Sequence, residues 1–205
     1  PAPALPPPHV YIPASQPSTQ PSTQPASQPD IGVFDPSLDT AKGVDYMTLK
    51  EQFVVFLMNQ ARVQPQYFAQ QYLNSEAPPG SKERALYEIL MALEPPLLPL
   101  KPSQALSLAA QDHATDMGLR GKRGHVGSGD TSVDNRIRRY GALSGGFAEN
   151  CSYGFNTPVG IVLQLMMSPG HRANILHPTT RFVGVGIKPH RTDGFNAVTV
   201  FAEDV

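Results

Sequence analysis

The stretch Ser168-Pro169-Gly170-His171-Arg172-Ala173-Asn174-Ile175-Leu176, followed by Phe182-Val183-Gly184-Val185-Gly186-Ile187-Lys188, decides the fold. Serine followed by proline is an N-cap and first-turn pair. The hydroxyl can accept from a free helical N–H, and proline at the first position loses no hydrogen bond. It predicts a short helix that stops before His177-Pro178. Residues 182–188, rich in Val and Ile, then read as a β-strand, and Asn196 to Ala202 as a second. Asp193-Gly194 lies in the connection between them, which suits an antiparallel hairpin.

On the N-terminal side of this stretch, Thr157-Pro158 repeats the capping device and opens a helix through about Met167, while Ala148 to Tyr153 reads as a third strand. Leu106, Ala109, Ala110, His113, Ala114 and Met117 fall at helical spacing. The two alanines on that stripe suggest close packing against a sheet or another helix. Further back, Leu49, Phe53, Phe56 and Leu57 mark one face of a helix running to about Arg62, with Thr48 and Glu51 as a capping box at its start. A short helix over Pro65 to Tyr72 follows. After the break at Pro78-Pro79-Gly80, Ser81 caps a helix carrying Leu86, Ile89, Leu90 and Leu93. Helices before, between and around antiparallel strands predict a layered α+β domain.

The first 44 residues are of another kind. From Pro1 to Pro29 there is no Asp, Glu, Lys or Arg, and residues 15–25 repeat a Pro/Ser/Thr/Gln pattern with a period of four. Such a segment buries little apolar area to offset its ordering entropy. Residues 1–44 are therefore expected to be a disordered, PPII-like Pro/Ser/Thr/Gln-rich tail or tether, and 45–205 the folded domain. Tethers of this composition suit display outside the cell. The chain starts at Pro1, so an export signal is expected upstream of it.

Composition narrows the function classes. With 16 basic and 17 acidic residues, the chain lacks the electrostatic footprint of a nucleic-acid binder. No apolar run is long enough to span a bilayer. Cys151 is the only cysteine, which excludes a disulfide framework and any zinc site built from several thiolates.

Four features then converge: His125 in Gly124-His125-Val126-Gly127, Glu149 in Ala148-Glu149-Asn150, His171 in the quoted stretch, and Val183-Gly184-Val185-Gly186-Ile187 after it. Their order and spacing resemble the CAP superfamily (SCP domains), which includes plant pathogenesis-related proteins, venom allergens and cysteine-rich secretory proteins. The resemblance is closer to its bacterial branch and reaches back to Asn59-Gln60-Ala61-Arg62. It implies a three-layer α-β-α sandwich with a cleft holding two His and two Glu. His125, Glu149 and His171 match three of the four. Where the second Glu is expected the chain reads Leu163-Gln164-Leu165-Met166-Met167-Ser168, with Ser168 nearest to that place and Leu165 instead of the family's tryptophan.

The resulting cleft of His125, Glu149, His171 and Ser168 has several readings. His125, His171 and Glu149 make a candidate ligand set for a divalent metal such as zinc, since two imidazoles and a carboxylate can leave one position open. His171, in the first turn of its helix, is expected to stay neutral there. The bland alternative is a hydrogen-bonded cluster that joins helices to sheet. The preferred reading is a non-enzymatic, exported binding module (secreted, periplasmic or at the cell surface) that takes a metal, a lipid or an envelope or extracellular protein partner. A hydrolase, metal-assisted or with Glu149 as general base, is the rival, and the missing second carboxylate counts against it. Cys151, on the same strand face as Glu149, is expected to be a packed, inert thiol. His113 reads as a satisfied core or boundary histidine. Arg120, Lys122, Arg123, Arg136, Arg138 and Arg139 read as a solvated face, Thr131 with Asp134 as a capping box, and His177 and His190 as loop residues.

Overall fold

A computed structural model describes residues 35–94, 96–141 and 143–205. The expected tail, as far as residue 34, lies outside the described residues. Asp35–Val44, on the N-terminal side of the boundary expected at residue 45, contains a short 3-10 turn, and Leu38 and Ala41 from it are buried.

Helix α1 (Leu49–Val63) starts at the predicted capping box. The Glu51 carboxylate accepts from the Thr48 backbone N–H at 2.8 Å, and the Thr48 hydroxyl accepts from the Glu51 N–H at 3.3 Å. The other Glu51 oxygen accepts from the Ile187 N–H, so the cap also ties the helix to the sheet. The expected apolar stripe holds only in part. Leu49 and Phe53 face solvent, whereas Val54 through Met58 are buried in succession. The helix is enclosed by neighbours on several sides, and all-round burial overrides the one-face pattern. Helices α2 (Pro65–Tyr72) and α3 (Lys82–Met91, capped by Ser81) follow in the expected places, although Ile89 is exposed and Leu93 lies beyond the end of α3.

Two polar side chains of α1 hold the extended segments around it. Asn59 donates to the carbonyls of Leu38 and Leu100 and accepts from the Leu100 N–H. Arg62, fully buried, donates to the carbonyls of Leu98, Ile175, His177 and Thr180. Burial lowers its pKa to about 10, which still leaves it charged at neutral pH.

The sheet has four strands in the order β1-β3-β4-β2. Strand β1 (Lys101–Pro102) runs parallel to β3 (Phe182–His190). The hairpin of β3 and β4 (Gly194–Asp204) is antiparallel, and β2 (Ser144–Tyr153) pairs antiparallel with β4 at the edge. Helix α4 (Gln104–Arg120) lies across one face of β3 and β4, with α5 (Val133–Arg138) beside it. Helices α1, α6 (Pro158–Met166) and α7 (Pro169–Ile175) cover the other face. The strand period of two sorts residues between two cores. Val183, Val185, Ala197 and Phe201 join the α1/α6 side, while Val198, Val200 and Ala202 join the α4 side. The result is the expected α+β arrangement of helix, sheet and helix layers.

The alanines of α4 do what the sequence suggests, and glycines on β3 complete the contact. A Cβ added at Gly186 would stand 2.5–2.6 Å from the backbone of Ala110 and Gln111, and one at Gly184 would meet the backbone of Leu106 and Ser107 still more closely. The helix therefore rests directly on the strand.

Candidate functional site

The site forms where edge strand β2 meets both helix layers. Alternation along β2 sends Glu149 and Cys151 to the α4 side and Asn150 to the α7 side. Asn150 donates to the His171 carbonyl at 3.0 Å and accepts from Asn174 at 2.8 Å, which fixes the start of α7 against the strand.

His125 is carried by the loop after α4. That helix ends on Gly121 in the left-handed conformation, and Gly124, at φ 120°, turns the chain back toward β2. The Gly124 backbone is held at both ends. Its N–H donates to the Tyr153 hydroxyl at 2.9 Å, and its carbonyl accepts from His113 Nε2 at 2.9 Å and from the Cys151 thiol. With the loop so fixed, His125 Nδ1 donates to Glu149 Oε1 at 3.0 Å while its ring stays about half exposed. The partner is a carboxylate, so Nδ1 carries the proton and Nε2 the lone pair.

The Glu149 side chain is almost fully buried and engaged on both oxygens. Arg136 Nη2 donates to Oε2 at 2.6 Å, and His113 Nε2 lies 3.7 Å from Oε1. Arg136 Nη1 also donates to the carbonyls of His125 (3.1 Å) and Thr131 (2.8 Å). Arg136 therefore does not belong to a solvated face; it lies in α5 on the side that is buried. Only the rest of that basic run matches the expectation of exposure in the main, with Arg120 paired to Asp116 and Arg123 to Asp193. The cap of α5 differs too. Ser132, not Thr131, is the N-cap residue, and its hydroxyl donates to Asp134.

The histidines separate by environment. Glu149, as hydrogen-bond acceptor, raises the pKa of His125. Burial lowers that of His171, and the proximity of His125 lowers it further, giving the neutrality expected with burial as the leading cause. His171 Nδ1 is buried without a protein partner. The Ser168 hydroxyl makes no capping bond, although Ser168 is the N-cap of α7; it borders a cavity of about 490 Å³ lined by Phe155, Leu163 and Met167. His113 is the residue whose role sequence reasoning misses. It is buried on its apolar stripe as expected, yet Nε2 points at the site and Nδ1 has no partner. His190 is not a loop residue either: it closes β3, buried, with Nε2 on the Lys122 carbonyl at 2.8 Å.

His113, Glu149 and Cys151 form a buried group whose donor atoms lie within 4.8 Å of one another, so they could hold a metal ion. Two interactions oppose it: His113 Nε2 already donates to a carbonyl, and Arg136 places its charge against Glu149. Burial, with the Glu149 charge, also drives the Cys151 thiol well above its ordinary pKa. Thiols react as thiolates. Cys151 is therefore expected to resist iodoacetamide in the folded protein and to label fully in denaturant; fast labelling under native conditions, followed by mass spectrometry, would contradict this burial.

Comparison with known proteins agrees with the motif reading. Residues 55–202 match the model of the cysteine-rich secretory protein (CAP) family, and the chain belongs to that family. The uncharacterized protein YkwD of Bacillus subtilis is 32% identical over 90 residues, which are 44% of this chain and 35% of that protein. The chain thus matches about a third of that relative's length. Among solved structures, an extracellular protein containing a SCP domain from Bacillus anthracis is similar with TM-score 0.47 and 24% identity, covering 52% of this chain and 34% of that one. An outer surface protein from Borrelia burgdorferi gives TM-score 0.48 at 19% identity, over 53% of this chain and 80% of that one. A cysteine-rich secretory protein from Staphylococcus aureus gives 0.40 at 20%, over 64% and 40%.

Proposed function

We propose that this CAP domain is an exported, non-enzymatic binding module that holds a divalent metal ion, zinc by donor chemistry, between His125 and His171. The observation that carries the reading is the His125–Glu149 hydrogen bond at 3.0 Å on a half-exposed ring. A carboxylate on Nδ1 fixes the imidazole and leaves Nε2 as a free donor, the arrangement that commonly stands behind metal-bound histidines. The unpartnered Nδ1 of the neutral His171 supplies a second donor of the right type. Glu149 then serves behind the ligands. The branch of the rival hydrolase that uses Glu149 as general base is disfavoured, because both of its oxygens are already engaged. Export is supported by the secretory family and by the composition of residues 1–29.

Zinc is expected to raise the melting temperature. At about a hundred times its Kd the gain is about 2.7 kcal/mol. His125→Ala and His171→Ala should each abolish the shift, and Cys151→Ser should leave it intact. The absence of any shift across a series of divalent metals would remove the metal reading. Loss of the shift in Cys151→Ser alone would move the ion to the buried His113–Glu149–Cys151 group.

A further inference from the structure

We propose that Arg136 is the positioning residue of this site: it decides which atom of the residue-149 side chain meets His125, so that the native carboxylate presents an acceptor to Nδ1 whereas an amide placed there would present its NH2 group. The effect of Arg136 on metal affinity rests on the binding reading above; its effect on the tautomer does not.

The geometry is that of a clamp. One guanidinium nitrogen holds the carbonyls of His125 and Thr131 at 3.1 and 2.8 Å, and the other holds Glu149 Oε2 at 2.6 Å. Glu149 Oε1 in turn holds His125 Nδ1 at 3.0 Å. Arg136 thus grips His125 twice, by its main chain directly and by its ring through the carboxylate. A guanidinium presents rigid donors in a plane and has no acceptor, so whatever atom of residue 149 faces it must accept. With a carboxylate both oxygens accept, Nδ1–H is satisfied, and Nε2 is left bearing its lone pair.

An amide at position 149 exposes this control. In Glu149→Gln, Arg136 claims the amide oxygen, and the NH2 group turns to His125. Nδ1 must then accept, and the ring proton moves to Nε2. Adding Arg136→Met frees the amide to rotate, and its oxygen can return to Nδ1–H. A merely structural Arg136 predicts no such reversal.

The test is the ring 15N chemical shifts of His125 by NMR, on the whole chain without metal, at a pH where the imidazole is neutral. Wild type is expected to show Nδ1–H, Glu149→Gln to show Nε2–H, and the double variant Glu149→Gln/Arg136→Met to return to Nδ1–H. Retention of Nδ1–H in the single variant overturns the proposal, as does a double variant that stays inverted. If the double variant does not fold, the single one still decides. Arg136→Lys supplies a second measurement, since it keeps the charge but cannot hold two carbonyls and a carboxylate together. Its zinc affinity is expected to fall about tenfold, with the Nδ1–H tautomer kept; unchanged affinity overturns the clamp. If wild type binds no zinc, the metal reading fails while the 15N shifts still judge Arg136.

Discussion

Gly186→Ala should destabilise the domain by at least ~3 kcal/mol, at the upper end of what overpacking costs. The added methyl would sit 2.5–2.6 Å from the carbonyl carbon of Ala110 and from the nitrogen and Cα of Gln111. These are backbone atoms inside helix α4. No side chain can rotate out of the way, so either the helix lifts from the sheet or the strand bends. Both responses open the core in which Ala109, Ala110 and Ala114 pack on Val198 and Val200. Gly184 meets the same helix one turn earlier, and Gly184→Ala combined with Gly186→Ala is expected to prevent folding. Gly170→Ala is the control: it has open space around its Cβ position, and its stability should stay within ~0.5 kcal/mol of wild type. Urea unfolding reads all of these. A cost below ~1 kcal/mol for Gly186→Ala would mean that helix and strand do not touch as described.

The contact is half legible in the residues alone. Alanines at helical spacing announce a close approach of α4 to something, and the glycines in Val183-Gly184-Val185-Gly186-Ile187 stand in a strand without a stated partner. What one sequence lacks is the pairing of these two small-residue stripes, since they are roughly 75 residues apart. Three of the caps read well because they are local, whereas Thr131 and Ser168 make no side-chain cap. Thr48 with Glu51, Ser81, and Thr157 before Pro158 each bond within their own turn. Where a residue's partner is distant, the local pattern misleads. Leu49 and Phe53 carry a helical stripe but lie outside the core, because α1 is enclosed mainly from Val54 onward.

The candidate site divides in the same way. His125, Glu149 and His171 stand in motifs, and the structure brings His125 and Glu149 into direct contact, with His171 reaching β2 through Asn150. Cys151 follows from strand alternation alone. Arg136 and His113 escape because nothing nearby in sequence distinguishes them. Arg136 looks like Arg138 and Arg139, and only its place on the buried side of α5, beside a carboxylate from β2, gives it a different role. One clue is local enough to use: a buried Glu on a core-facing strand position needs a cation, and the arginines of 136–139 are the basic residues closest before it in the chain.

That buried pair leads to the second large effect, the loss of ~3–5 kcal/mol expected in Arg136→Met. Arg136 and Glu149 are each nearly sealed from water, so neither charge is hydrated in the folded state. Removing the guanidinium leaves a carboxylate in a low-dielectric setting, with the half-exposed His125, the buried His113 and the neutral Cys151 thiol beside it. It also strips a donor from the carbonyls of His125 and Thr131. The cost is dominated by the stranded charge, not by the lost contact, and this can be separated experimentally. In Glu149→Gln/Arg136→Met no charge is stranded, so the double variant should recover more than half of the loss measured for Arg136→Met. A purely steric role for Arg136 predicts the opposite, because methionine fills similar space in both variants and the amide adds nothing. Denaturant melts of wild type, both single variants and the double variant complete the cycle. If the double variant is no more stable than Arg136→Met, the charge pair is not what Arg136 contributes to the fold.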